Sequence, residues 1–340
     1  MTETRLSVAF LGGVPPALGG GGLERQMERT AAALEALGHE VERVECSPPD
    51  RPLDILHAFH GEPAVWHLLP HWSRNRCALV VSPVLPIRPG RDERLLRISA
   101  RVPGLITTAR MRREVIGRAD AVVALTEYER DVTRRVFGAD PGRIQVIGNG
   151  VDRVDTEGVS LPAGVPDRDF LLMVGGVSRR KQQVEVARAV ARRTPLVVVG
   201  GLVGDARERA GLERELVASG AVWLGEIRDE RVVRALQRSA AALVLLSEAE
   251  AQPLVLLEAL SVATPVIASD LPAHRELRAS HPGWVTLAQG ADDVLGAAQE
   301  LAARGSPAKP PEVDTWNDVA NRLVGVYRRA AADYPGEPRG

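Results

Sequence analysis

The chain has 340 residues, 45% hydrophobic and 26% charged, with 43 basic against 44 acidic side chains for a net charge of −1. At roughly 150 residues per domain that supplies two cores and excludes a disordered chain, while the near-neutral balance argues against a chain-wide nucleic-acid footprint. No apolar run reaches the roughly 18 residues of a membrane span, Met1–Arg5 carries no leader pattern, and two cysteines, Cys46 and Cys77, cannot build a disulfide framework, so a cytoplasmic protein is expected.

Apolar β-branched runs alternate with amphipathic stretches. Ser7–Leu11 reads as a strand, Gly12–Gly22 as a Gly/Pro-rich loop, and Leu23–Leu37 as a helix ended by Gly38. Strands follow at His39–Val44, Asp54–Ala58 and Ala78–Ser82, then a helix at Thr108–Arg118 and a strand at Ala121–Leu125. Thr126 starts a helix to Phe137, with Glu129 placed to complete a capping box, and Ile144–Ile147 is the next strand. After a polar, turn-rich linker, Val151–Arg168, the pattern resumes. Strands are expected at Phe170–Val174, Pro195–Val199, Val222–Leu224, Ala242–Leu246 and Pro265–Ala268. Helices are expected near Lys181–Arg192, Arg207–Ser219, Glu230–Ser239, Leu254–Ser261 and Ala291–Ala303, with a last one at Trp316–Ala332. Such alternation predicts two α/β, doubly wound, Rossmann-like domains over residues 1–152 and 153–312, with 313–340 as a closing helix crossing back to the first. Two such domains predict a central cleft, with ligands beyond the carboxyl ends of the strands.

The loop after Ala242–Leu246 is the most informative. Glu250 and Glu258 are separated by seven residues, and Pro253 suits the first turn of the helix between them. Free N–H groups and the positive end of that dipole, around Pro253 and Leu254, suit a diphosphate. The two carboxylates, roughly 10 Å apart at 1.5 Å per residue plus the loop, then match the hexose-to-ribose span of a nucleotide-sugar. The loop after Phe170–Val174 carries Arg179, Arg180 and Lys181 in a row at a strand end, a diphosphate clamp. Cations oppose the dipole at a helix start, which weakens the reading of a merely solvated terminus. All but two of the basic residues, Lys181 and Lys309, are arginine, which adds weight to Lys181. Gly21 and Gly22, at the end of the Gly-rich loop, allow close approach of a phosphate or sugar, although Glu24 stands where a G-x-G-x-x-G motif needs its last glycine.

Taken with Leu34–Val41, Ala119–Thr126, Val146–Asp152, Gly225–Asp229, Thr264–Asp270 and Trp316…Tyr327, these loops resemble the GT-B retaining glycosyltransferases of family 4, in order and over nearly the whole chain. The resemblance implies that Glu250 contacts the donor hexose, Glu258 the ribose, Lys181 the diphosphate, and the backbone near Arg228 the base. The donor implied is UDP-, GDP- or dTDP-linked, and no metal or other cofactor is expected. Three positions depart from the family pattern. Gly176 stands where the family has an arginine, leaving Arg179 or Arg180 as substitutes; Ala251-Gln252-Pro253 replaces Gly-Phe-Gly; and His57-Ala58-Phe59-His60 replaces His-x-His. The last pattern resembles trehalose-phosphate synthases, which favours His60 over His57 as the sugar-facing histidine.

Other signals are weaker. His57, His60, His67 and His71 are close in sequence, but Pro70 is expected to interrupt the helix that would align the last two for zinc. Asp167-Arg168-Asp169 matches the D-x-D of metal-dependent transferases but precedes a strand. Arg110, Arg112, Arg113 and Arg118 with Met111, Val115 and Ile116 suit peripheral contact with anionic lipid, although an apolar face on the core and solvated arginines is favoured. The resemblance implies metal-independent, front-face transfer of a hexose-type sugar. The first half shows no wide apolar groove in its sequence, so a small polar acceptor is expected. The alternatives are another GT-B chemistry, such as an epimerase or pseudo-glycosyltransferase, and a non-catalytic nucleotide-sugar-binding subunit.

Overall fold

The structure is a computed structural model. It describes residues 5–12, 21–44, 52–60, 63–72, 77–305 and 307–334. Residues 13–20 of the Gly-rich loop, Cys46 and the side chains of Pro70 and His71 lie outside that description. The chain divides into two compact units, Met1–Gly150 with Asp314–Gly340, and Val151–Val313.

The first unit is built on six strands: β1 (Ser7–Leu11), β2 (Glu40–Val44), β3 (Ile55–Phe59), β4 (Ala78–Ser82), β5 (Ala121–Ala124) and β6 (Ile144–Val146). All pair in parallel in the order β2-β1-β3-β4-β5-β6. Its helices are α1 (Gly22–Ala36), α2 (Pro63–Trp72), α3 (Arg91–Ser99), α4 (Thr108–Gly117), α5 (Glu127–Val132) and, from the far end of the chain, α12 (Trp316–Asp333). Every residue of β3 and β4 is buried, as a parallel sheet covered on both faces requires. α12 packs on α1 and β4, and its Tyr327 is fully buried. The helix begins against Gly150, where a Cβ would stand 2.5 Å from the Trp316 nitrogen.

Two expectations are corrected here. α2 continues through Pro70 to Trp72. Thr126 does cap α5 by accepting from the Glu129 N–H, but the Glu129 carboxylate reaches past the cap. It accepts from the N–H groups of Leu125 and Leu85, both at 2.6 Å. That carboxylate holds the loop after β4, where Val84 has φ +46°, a strained conformation for a β-branched residue. α5 passes into a π-helical turn, Thr133–Phe137, closed by Gly138 in the left-handed region.

The second unit carries β7 (Leu171–Val174), β8 (Leu196–Val199), β9 (Val222–Trp223), β10 (Ala242–Leu245), β11 (Val266–Ser269) and β12 (Val285–Ala288). These are all parallel in the order β12-β11-β10-β7-β8-β9. The connecting helices are α6 (Gln183–Val190), α7 (Ala206–Ser219), α8 (Glu230–Ser239), α9 (Leu254–Ser261), α10 (Pro272–Ser280) and α11 (Val294–Arg304). Alternate residues at β7 enter two separate cores, Leu171 and Met173 on one face, Leu172 with the preceding Phe170 on the other. The strand order is that of a classical doubly wound sheet, reversing between β7 and β10.

Candidate functional site

That reversal decides which loops matter. Connections leave β7 and β10 in opposite directions, and in an open α/β sheet a ligand is expected beyond the carboxyl ends of the strands at such a reversal. They are the two loops singled out in the sequence. After β7, Arg179–Lys181 forms one 3₁₀ turn and α6 starts only at Gln183, later than expected. The Lys181 side chain folds back over Gly175, whose absent Cβ would lie 2.8 Å from Nζ and whose φ of +131° also demands glycine. Burial pulls the Lys181 ammonium below the ordinary lysine pKa; the Glu250 carboxylate opposes this shift and Arg180 adds to it.

After β10, the chain is tied to the Lys181 turn at three points. The Glu248 N–H donates to the Arg180 carbonyl at 3.0 Å. The Arg180 guanidinium donates to the Ala249 carbonyl at 2.6 Å and to Glu250 Oε1 at 3.3 Å. Glu250 keeps only 13% of its side chain exposed. Pro253 is the N-cap of α9 rather than a residue of its first turn, and Leu254 opens the helix. Having no side-chain acceptor, Pro253 leaves the positive helix end uncapped from within. Glu258 lies one turn further on and is buried, 3.8 Å from Arg234 of α8. Arg228 sits in the loop before α8 with its side chain 89% exposed, 3.7 Å from Glu226.

The remaining predicted residues belong to the first unit. His60 follows β3 with φ +62°, its N–H donating to the Ser82 carbonyl. Its Nδ1 accepts from Arg112 at 3.2 Å. Burial, then the Arg112 charge, lowers its pKa to about 4 against an opposing pull from Glu24. His60 is therefore a neutral imidazole carrying its proton on Nε2. His57 is a core residue: Nδ1 meets the Tyr327 hydroxyl at 2.7 Å, Nε2 meets Ser82 Oγ at 2.9 Å, and the ring stacks on Phe59. Gly21 is the N-cap of α1 and Gly22 its first residue. The Glu24 carboxylate accepts from the Gly21 N–H at 2.7 Å, so this helix start already presents a negative charge.

Two family models cover most of the chain, that of glycosyl transferases group 1 over residues 163–302 and that of glycosyltransferase family 4 over residues 53–154. The chain belongs to the GT-B glycosyltransferases of family 4. Among curated relatives, this glycosyltransferase is 26% identical to alpha-maltose-1-phosphate synthase of Mycolicibacterium smegmatis over 73% of its own length and 71% of the relative's. It is 33% identical to D-inositol 3-phosphate glycosyltransferase 2 of Catenulispora acidiphila over 65% of its length and 58% of the relative's. It is similar in fold to sucrose-phosphate synthase from Thermosynechococcus elongatus, with TM-score 0.70, 17% identity and coverage of 96% and 99% of the two chains. Anabaena HepE, solved with UDP and glucose, gives TM-score 0.64 at 16% identity and coverage of 96% and 99%.

Two residues beside the candidate site were not singled out in the sequence. Arg234 is buried, donates to Gln237 Oε1 at 2.8 Å and faces Glu258, so the expected ribose ligand has a cationic neighbour. The i, i+3 spacing of Arg234 and Gln237 on α8 was visible, but nothing in sequence links α8 to α9. His274, at the start of α10, is fully buried with Nδ1 2.8 Å from the Ser269 carbonyl, so Nδ1 carries the proton. Burial lowers its pKa, the Ser269 carbonyl and the Glu250 and Asp270 charges opposing. Its Nε2 and the Ser247 hydroxyl are buried without a hydrogen-bond partner among the described residues, both at the carboxyl ends of adjacent strands. Among the described residues no group of three or more His, Cys, Asp or Glu is arranged to hold a metal, and Asp167 and Asp169 are exposed before β7.

Proposed function

We propose that this glycosyltransferase uses a nucleotide-sugar donor bound in the second unit and transfers its hexose with retention to a small polar acceptor. One observation carries the reading: Lys181, Arg180 and Glu250 meet at the strand-order reversal, beside the uncapped start of α9. A diphosphate there is matched by the Lys181 ammonium and the helix N–H groups, and Glu250 is held to accept from sugar hydroxyls. Glu258 is the candidate for the ribose hydroxyls, and the Gly225–Asp229 loop for the base. The names of the two curated relatives contain a phosphorylated sugar and a phosphorylated cyclitol, both small and polar.

In the proposed step the bond from the anomeric carbon to the β-phosphate oxygen breaks as the acceptor oxygen attacks from the same face. The departing phosphate oxygen takes the acceptor proton, so the protein supplies no nucleophile. Lys181 stabilises charge that grows on the phosphate as the bond breaks, an electrostatic role fixed in advance by the fold. His60, a neutral imidazole, is the first unit's candidate contact for a sugar hydroxyl. The test is a thermal-shift panel of nucleotides and nucleotide-sugars followed by the anomeric configuration of the product. A ligand at one hundred times its Kd adds about 2.7 kcal/mol to the folded state. No shift with any nucleotide diphosphate, or an inverted product, overturns the proposal.

A further inference from the structure

We propose that the second unit carries a further anion site, in the groove between the end of α6 and the second half of α7, fitted to a small phosphorylated molecule. The groove has a volume of about 480 Å³, and its walls include Arg188, Arg192, Gly211, Arg214, Glu215 and Ala218. Its place in the fold separates it from the donor crevice. In a parallel sheet each connecting helix runs back from the carboxyl end of one strand to the amino end of the next. Arg192 stands four residues before β8 and Ala218 four before β9. The groove therefore lies at the amino ends of these strands, opposite the Lys181 turn, and the inference is independent of the donor reading.

Three guanidinium groups line the groove against one carboxylate. Glu215 Oε2 stands 3.1 Å from Arg188 Nη2, so that carboxylate is already engaged. Arg214 gives its Nε–H to the Ala210 carbonyl at 3.2 Å, and among the described residues neither Arg192 nor Arg214 meets a carboxylate. All three arginines are exposed, so their remaining donors are open to solvent. The dipole of α6 favours cations at its carboxyl end and accounts for Arg188 and Arg192. It does not account for Arg214, which belongs to the interior of another helix and brings a like charge to the pair. Like charges gathered in one groove cost stability until an anion neutralises them.

The wall on α7 is kept low. Gly211, Arg214, Glu215 and Ala218 follow the i, i+3, i+4, i+7 spacing of one helix face. Glycine is the least favourable helix-interior residue after proline, and packing does not call for it at Gly211, where a Cβ would meet nothing within 4 Å. Its effect is a notch beside Arg214, with the small Ala218 on the other side. The lining then selects the occupant. A guanidinium fork matches a phosphate, which accepts two parallel N–H bonds from it. The volume is that of a small-molecule pocket. No aromatic or large apolar side chain lines it, so neither a nucleoside base nor a protein anchor finds a platform there.

The experiment is calorimetric titration of the full chain with inorganic pyrophosphate. Two binding events are expected, one in the groove and one in the donor crevice. Arg192→Gln/Arg214→Gln, both at exposed positions, weakens the groove event roughly 100-fold, about tenfold for each charge-assisted hydrogen bond, and leaves the other unchanged. Gly211→Leu, which keeps every arginine and fills the notch, weakens the same event. Arg207→Gln/Arg209→Gln, exposed on α7 outside the groove, leaves it unchanged. A nucleotide-sugar that stabilises the protein competes with the other event alone; absence of that competition counts against the donor reading and not against the groove. No pyrophosphate binding, or no event lost in Arg192→Gln/Arg214→Gln, overturns the proposal. So does wild-type binding by Gly211→Leu, or equal loss in Arg207→Gln/Arg209→Gln, which would mark general attraction to a basic surface.

Discussion

Replacing Lys181 by alanine tests the donor site most directly. The ammonium is partly buried over Gly175 and feels Glu250 and Arg180. At an effective dielectric of about 20, a unit charge roughly 4 Å from a phosphate oxygen contributes about 4 kcal/mol. Much of that is expressed only as the glycosidic bond breaks, so the loss falls on kcat rather than on donor affinity. A loss on the order of 10²–10³ in kcat is expected, as for removal of other preorganised charge-stabilising groups. Backup is poor, since Gly176 has no side chain and Arg180 commits its Nη1 to the Ala249 carbonyl and Glu250. A Cβ on Gly176 would also stand 2.7 Å from Val203 Cγ2, so restoring an arginine there displaces Val203. Lys181→Arg regains charge but must fit a planar guanidinium into the space over Gly175, and is expected to recover little. The assay is single-turnover transfer with saturating nucleotide-sugar, alongside calorimetric binding of the nucleoside diphosphate. Near-normal kcat for Lys181→Ala in a folded protein would refute the reasoning, as would loss of donor binding without loss of kcat.

Other outcomes follow from the same structure. Arg180→Ala frees Glu250 and lowers kcat/KM about tenfold, the worth of one charge-assisted hydrogen bond, with Lys181→Ala additive only if the two act independently. Turnover in EDTA matches that with added Mg²⁺, measured on metal-stripped enzyme; rescue by metal contradicts the proposed mechanism. Gly150→Ala pushes against the start of α12 and lowers stability by about 1–3 kcal/mol in denaturant titration. His57 is held by burial at a pKa of about 3 against 6.5 when unfolded. The unfolded chain therefore binds the proton first, and this contribution to stability, complete above pH 6.5, is lost as pH falls toward 3. The slope approaches about 1.4 kcal/mol per pH unit below 6. Urea midpoints at pH 6.5 and 5 fall less in His57→Gln than in wild type; equal falls count against a buried neutral imidazole.

The alternation of β-branched runs with amphipathic stretches was enough to place nearly every strand of both sheets, because a strand buried on two faces has little freedom in composition. Glu230–Ser239 and Leu254–Ser261 are helices to the residue. α2 and α3 were not legible: α2 runs through Pro70, and α3 is short and buries none of its residues fully. At the site, residue types and strand-end positions identified the Lys181 and Glu250 loops, since a row of cations and a carboxylate near a helix start are local patterns. What they do to each other was decided by the strand order β10-β7-β8, which sets residues 70 apart side by side. Pairing of Glu258 with Arg234, of His57 with Tyr327, and of Glu129 with the loop at Val84 likewise joins residues far apart in the chain. Periodicity determines which face of an element is buried. Which partner a buried polar group finds depends on long-range packing, and that is written only in the tertiary structure.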